Sequence, residues 1–162
     1  MIILYEEVFM LAVITSDLHG RLEILRRLVI EYPDADLFLD AGDSGRKPAE
    51  LDPFVSVKGN CDIYGFERFR VITFGDERIY LFHGDRADLS DEALYARALR
   101  HRCKIIVHGH THVPRYHCYR GVRIICPGSP AYPRGGSAAT YVVLRGKSAA
   151  KVEFVMVDYE KS

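Results

Sequence analysis

The chain is poor in several things, and each shortage argues against a class of function. It has no net charge, because 22 Lys and Arg balance 22 Asp and Glu. Overall charge therefore predicts neither a nucleic-acid nor a membrane-surface partner. Its four cysteines, Cys61, Cys103, Cys118 and Cys126, include no C-x-x-C pair. That spacing argues against a zinc knuckle or a thioredoxin-like redox pair and predicts reduced thiols in a cytoplasmic protein. The sequence shows no internal repeat and no long linker. Its apolar opening, "MIILYEEVFMLAVIT", is broken by Glu6 and Glu7 and lacks a basic flank. It fits neither a transmembrane span nor a signal peptide. The working pattern is expected to begin around Met10, with residues 1–9 an extra edge strand or a leader. Pairing of that apolar stretch across a homo-oligomer is left open.

What remains is ordinary globular composition, with 48% hydrophobic and 27% charged residues over 162 positions. That length predicts one domain, 1–162, able to bury a core without a disulfide or a structural metal. "MLAVITSD" (10–17), "DLFLDAGD" (36–43) and "FVSVKGN" (54–60) are short apolar runs ending in polar residues, as buried strands do. Between the first two lies "GRLEILRRLVIEYP", with Leu22, Leu25, Leu28, Val29 and Tyr32 on one helical face and Pro33 as the stop. Strand, helix, strand order implies a parallel layer. After Tyr64, "RFRVITFGDERIYLFHG" reads as a hairpin. "LSDEALYARALRHR" reads as an amphipathic helix with Ser90 as N-cap. "CKIIVHG" and "GVRIICPGS" read as further strands, and the C-terminal stretch as two alternating strands around "RGKS". The expectation is an α/β domain in which a parallel sheet gains antiparallel strands, with two packed sheets and helices outside.

The polar residues fall in one kind of place. The expected strands end at Asp17 and His19, at Asp43, at Asn60 and Asp62, at His83 and Asp85, and at His110 and His112. In open α/β sheets, ligands bind outside the carboxyl ends of the strands. Asp, His and Asn together form an oxygen-and-imidazole donor set suited to Mn, Fe, Co, Ni or Zn. So many donors exceed one four-coordinate site and suit two cations sharing a carboxylate, about 3.5–4 Å apart, around a displacement at phosphorus. Two dications with Asp17 and Asp43 leave two positive charges, which a hydroxide and a phosphodiester monoanion would neutralise. Taken singly, Asp17 and Asp43 would read as helix caps or turn residues. His101 and His117 sit among Arg and Tyr and read as solvated. His108 has no assigned role beyond a strand residue or a hydrogen-bond partner. The "AYPRGG" loop with Arg134 is a candidate for lining the substrate mouth and reads first as an ordinary mobile surface loop.

The ordered blocks "SDLHG" (16–20), "GD" (42–43), "GNCD" (59–62), "HGD" (83–85) and "GHTH" (109–112), with "PGS" (127–129), resemble the calcineurin-like metallophosphoesterases, most closely their small bacterial and archaeal phosphodiesterase members. The resemblance implies a four-layer α/β/β/α sandwich, two mixed sheets flanked by helices. It implies one metal held by Asp17, His19, Asp43 and His112, and a second held by Asp43, Asn60, His83 and His110. Manganese is the first expectation, with Fe, Ni, Co or Zn as alternatives. Hydrolysis of a phosphodiester by attack of a metal-bridging hydroxide follows, with Asp43, Asn60 and His110 as the catalytic set. Asn60, Cys61, Asp62 and Asp85 are the candidates for touching the phosphoester substrate. Larger members carry His where this chain has Cys61, and small members often carry His where it has Asp85. The alternatives are a phosphomonoesterase and a non-catalytic protein-binding scaffold of the same fold, as in a retromer subunit.

Overall fold

The computed structural model describes residues 9–146 and 151–159. The reading of residues 1–9 falls mainly outside them, with only Phe9 described and exposed. Strands β1 (Met10–Thr15), β2 (Leu37–Asp40) and β3 (Phe54–Ser56) run parallel, and α1 (Leu22–Glu31) joins the first two. Strands β9 (Thr140–Gly146) and β10 (Lys151–Met156) extend this sheet antiparallel, giving the order β10-β9-β1-β2-β3. The "RGKS" turn lies partly outside the described residues. The second sheet holds the hairpin β4 (Phe69–Phe74) and β5 (Glu77–Phe82), then β6 (Ile105–Val107), β7 (Arg115–Tyr119) and β8 (Val122–Cys126), in the order β4-β5-β6-β8-β7. Helix α2 (Asp91–Arg100) precedes β6. Both sheets are mixed, and β5, β6 and β8 run parallel within the second.

Strand alternation builds the layers. Ala12, Ile14, Leu39, Val142 and Leu144 from one sheet meet Ile79, Leu81, Ile105, Val107 and Ile125 from the other. The intervening residues face outward. Val13, Phe38, Tyr141 and Val143 pack under Leu22, Ile24, Leu25 and Leu28 of α1, while Tyr80, Phe82, Ile106 and Ile124 pack under Leu94 and Ala98 of α2. This period of two, buried on both faces, explains why the central strands read as continuous apolar runs. Each fully buried Ile or Leu here contributes about 1.5–3 kcal/mol. The result is the four-layer α/β/β/α sandwich, and it brings the carboxyl ends of β1, β2, β3, β5, β6 and β8 to one rim.

Three details differ from the sequence reading. The strand β7 arises from "RYHCY", a polar run whose central residues are exposed on the sheet edge. In α1, Ile24 joins the buried face and Val29 is only half-buried. His101 is not simply solvated, since its ring packs on Tyr80 and Phe69 at 4.8 and 5.0 Å between centroids.

Candidate metal centre

Asp17 and His19 follow β1, Asp43 follows β2, Asn60 follows β3, His83 follows β5, and His110 and His112 follow β6. The backbone itself is bent to serve the site. Asp17, His19, Asp43, His110 and His112 all adopt positive φ, between 45° and 73°. Asp and His tolerate this left-handed region better than most residues, but it is held only where the surroundings over-determine it. Gly59 shows the closeness of approach, since a Cβ there would lie 2.0 Å from Asp43 Oδ1 and 2.4 Å from its backbone nitrogen.

Two carboxylate oxygens look into a ring of imidazole nitrogens. Asp17 Oδ1 lies 3.3 Å from His112 Nε2, 3.9 Å from His83 Nε2 and 4.0 Å from His19 Nε2. Asp43 Oδ2 lies 3.2 Å from His83 Nε2 and 3.9 Å from His19 Nε2. Asn60 Oδ1 lies 3.0 Å from His83 Nε2 and 3.1 Å from His110 Nδ1. Donor atoms bound to one ion at about 2.1 Å sit about 3–3.5 Å from one another, which is close to this spacing. Metal-competent groups are Asp17 with His19 and His112, Asp17 with Asp43 and His83, and His19 with Asp43 and Cys61.

The surrounding atoms aim these donors. His83 Nδ1 donates to the carbonyl of Ala41 at 2.8 Å, and His112 Nδ1 to that of Tyr132 at 2.6 Å. Each bond fixes the tautomer that leaves Nε2 free for a ligand. Asp17 Oδ2 accepts from Ser16 Oγ and from the backbone N–H of His110, and Asp43 Oδ1 accepts from the N–H of Cys61. That leaves Asp17 Oδ1 wholly buried with no hydrogen-bond partner among the described residues. An unpartnered buried anionic oxygen is costly, and a cation shared with the facing imidazoles would satisfy it. The donor set therefore fits divalent metal.

Electrostatics point the same way. Burial alone would raise the Asp43 carboxyl, but the His83 hydrogen bond, the Cys61 N–H and the charges of His83 and His19 hold it down to about 2. Burial alone would lower His83, but the bond to Asp43 and the charges of Asp17 and Asp43 lift it to about 9. The Asp17 contact raises His112 against the effect of burial. A proton on His83 thus offsets the carboxylates when no cation does. His108, the third imidazole of "HGHTH", differs. Burial pushes it down to about 4, and its Nδ1 turns to the carbonyl of Gly109, so it is a buried neutral imidazole.

The four candidates for touching substrate occupy unlike places. Asn60 and Cys61 are exposed at the rim. Asp62 is buried and accepts the backbone N–H groups of Asp43, Gly45 and Gly59 at 2.8–3.1 Å. Asp85 pairs with Arg68 at 3.7 Å. The sequence reading missed Ser16, whose Oγ braces Asp17, and, although it named the loop after β8, it gave that loop no part in holding the ligands. There Ser129 Oγ donates to the carbonyl of Asp17 and accepts from Ala131 and Tyr132 N–H. It also gave no role to Asp40, a strand-end carboxylate pushed up to about 7 by burial and bonded to Ser56 and Thr15.

Residues 10–149 match the family model described as the calcineurin-like phosphoesterase superfamily domain. The chain is 35% identical over 149 residues to the probable metallophosphoesterase YsnB of Bacillus subtilis, covering 87% of this chain and 88% of that one. A crystal structure of a predicted phosphoesterase from Streptococcus pneumoniae superposes with a TM-score of 0.86 at 26% identity, covering 93% and 91% of the two chains. A likeness of fold alone extends to an archaeal phosphodiesterase (TM-score 0.72, 17% identity, 91% and 100% covered). It extends also to Vps29 of Entamoeba histolytica complexed with zinc (TM-score 0.70, 22% identity, 91% and 99% covered). With the rim of carboxylates and imidazoles already in place, the match settles the family: this chain belongs to the calcineurin-like phosphoesterase superfamily.

Proposed function

We propose that the protein is a phosphodiesterase that works with two divalent cations, manganese first among them, in the cytoplasm. The observation that carries this reading is the pair of buried oxygens, Asp17 Oδ1 and Asp43 Oδ2, each facing two or three imidazole nitrogens at 3.2–4.0 Å. Asp17, His19, Asp43 and His112 would hold one cation, and Asp43, Asn60, His83 and His110 the other, with Asp43 shared. When bound, such a pair supplies Lewis acidity and an activated water for in-line displacement at phosphorus. The chain's own part is positioning. Asn60 and His110 stand at the exposed edge of the cluster, where they can orient the phosphoryl oxygens and offset charge that builds there. Water adds across the ester: a new P–O bond forms, the P–O bond to the leaving alcohol breaks, and the alcohol takes the proton that water gives up.

The test is elemental analysis of the purified protein followed by hydrolysis of bis(p-nitrophenyl) phosphate and p-nitrophenyl phosphate with added manganese. Two equivalents of metal, turnover of the diester above the monoester, and loss of both metal and turnover in Asp43→Asn are expected. Diester hydrolysis that Asp43→Asn leaves intact would overturn the reading. Faster monoester turnover would make the protein a phosphomonoesterase. The scaffold alternative draws on the Vps29 fold, and it would be favoured by metal binding without turnover of either ester.

A further inference from the structure

Beside the metal centre lies an open groove of about 630 Å³, bounded by His19, His112, Ala131, Tyr132, Pro133 and Arg134. Its volume falls within the range of about 300–1,000 Å³ typical of small-molecule sites. The wall of the groove is the loop after β8, and this loop is built into the centre. The Tyr132 carbonyl holds His112 Nδ1 at 2.6 Å, and the Arg134 N–H donates to the His112 carbonyl at 3.1 Å. Ser129 ties the same loop to Asp17 and to the N–H groups of Ala131 and Tyr132. The loop is thus fastened on both sides of a metal-ligand histidine.

From this anchored backbone two side chains reach the groove. The Tyr132 ring is 47% exposed and touches His19 edge-on, with 5.8 Å between centroids. The Arg134 side chain is exposed, and no carboxylate among the described residues forms an ion pair with it. Charge decides what the pair suits. Two dications, Asp17, Asp43, one hydroxide and one diester monoanion sum to zero, and Asp62 spends its carboxylate on three backbone N–H groups, so Arg134 stands at the groove as a positive charge that the reacting phosphate does not use. An unpaired guanidinium recognises a phosphate by paired hydrogen bonds, and an exposed aromatic face beside it stacks a base.

We propose that Tyr132 and Arg134 form a subsite for the non-reacting arm of the substrate, and that this arm is a nucleotide, with its base on Tyr132 and a second phosphate on Arg134. The inference rests on the phosphodiesterase reading above and narrows it to a short nucleotide diester carrying an extra phosphate. It agrees with the zero net charge of the chain, since one local cation serves one phosphate and not an extended polyanion.

The manganese-loaded protein is assayed on bis(p-nitrophenyl) phosphate and on a thymidine dinucleotide with and without a 5′-phosphate. The 5′-phosphorylated dinucleotide should show a kcat/KM roughly tenfold above the unphosphorylated one, expressed in KM. In Arg134→Gln that ratio should fall to about one, and in Arg134→Lys part of it should remain. Tyr132→Leu should lower kcat/KM for both dinucleotides relative to the aryl diester by roughly tenfold, while Tyr132→Phe keeps the relative value. An unchanged ratio in Arg134→Gln, or no preference in the wild-type protein that still cleaves the aryl diester, overturns the subsite. A wild-type protein that leaves the aryl diester intact as well overturns the phosphodiesterase reading instead. A calorimetric titration with thymidine 3′,5′-bisphosphate gives a second readout. Arg134→Gln should weaken this binding roughly tenfold, and equal affinity in the two proteins counts against the proposal.

Discussion

Asp62 carries a full carboxylate beside the metal centre yet spends it on three backbone N–H groups, one of them that of Asp43. It fixes the loop from which Asp43, the proposed shared ligand, projects. Removing such a support costs metal affinity without removing a ligand, typically about 10–100-fold. Asp62→Ala should therefore weaken manganese binding by that factor in a calorimetric titration, and unchanged affinity would show that the loop holds itself. The sequence marked Asp62 as a strand-end acid and a candidate for touching substrate, because nothing in "GNCD" says whether its side chain turns to solvent or to its own backbone. The seven ligand candidates were legible, since residue type and order alone carry them. Tyr132 was not, because it orients His112 through a carbonyl that every residue possesses.

At the scale of elements, the two helices were readable from apolar spacing, but they are secured differently. Helix α2 has a side-chain cap, with Ser90 Oγ accepting from Ala93 N–H at 3.3 Å, acidic residues in its first turn and Arg97 and Arg100 in its last. Helix α1 starts at Leu22, Arg21 before it gives no side-chain cap, and the helix relies on its packing under the first sheet. Ser90→Ala should lower stability by about 1 kcal/mol in urea denaturation while leaving manganese affinity alone, because α2 contributes no ligand. A fall in metal affinity would mean that α2 is coupled to the rim through β6. The strands were legible where both faces are buried. Strand β7 was not, because an edge strand needs pairing on one side only, and its polar sequence gives no periodic signal.

Across the whole molecule, the candidate ligands come from five chain segments at the rim of two sheets whose facing sides pack through an apolar core. Cations bound there would cross-link the sheets, and any ligand that binds only the folded state stabilises it. Chelation should therefore lower the thermal midpoint. The chelated protein should also respond to pH in a defined direction. His83 is raised from 6.5 to about 9 on folding, so its stabilising contribution is complete below about pH 6.5 and is lost as pH rises through about 9. Asp43 is lowered from 3.8 to about 2, so its contribution is present above about pH 4 and is lost as pH falls towards 2. The urea midpoint of the chelated protein should decline between pH 6.5 and 9, and His83→Gln should flatten that decline. A midpoint that rises over this interval would show that the imidazole carries no proton in the metal-free fold. The five donors with positive φ carry a last consequence, for descent. Glycine would relax the chain at each of those positions, so a lineage released from catalysis would gain stability by discarding its donors. A relative carrying glycine at those positions should be the more stable protein and the one that holds no metal.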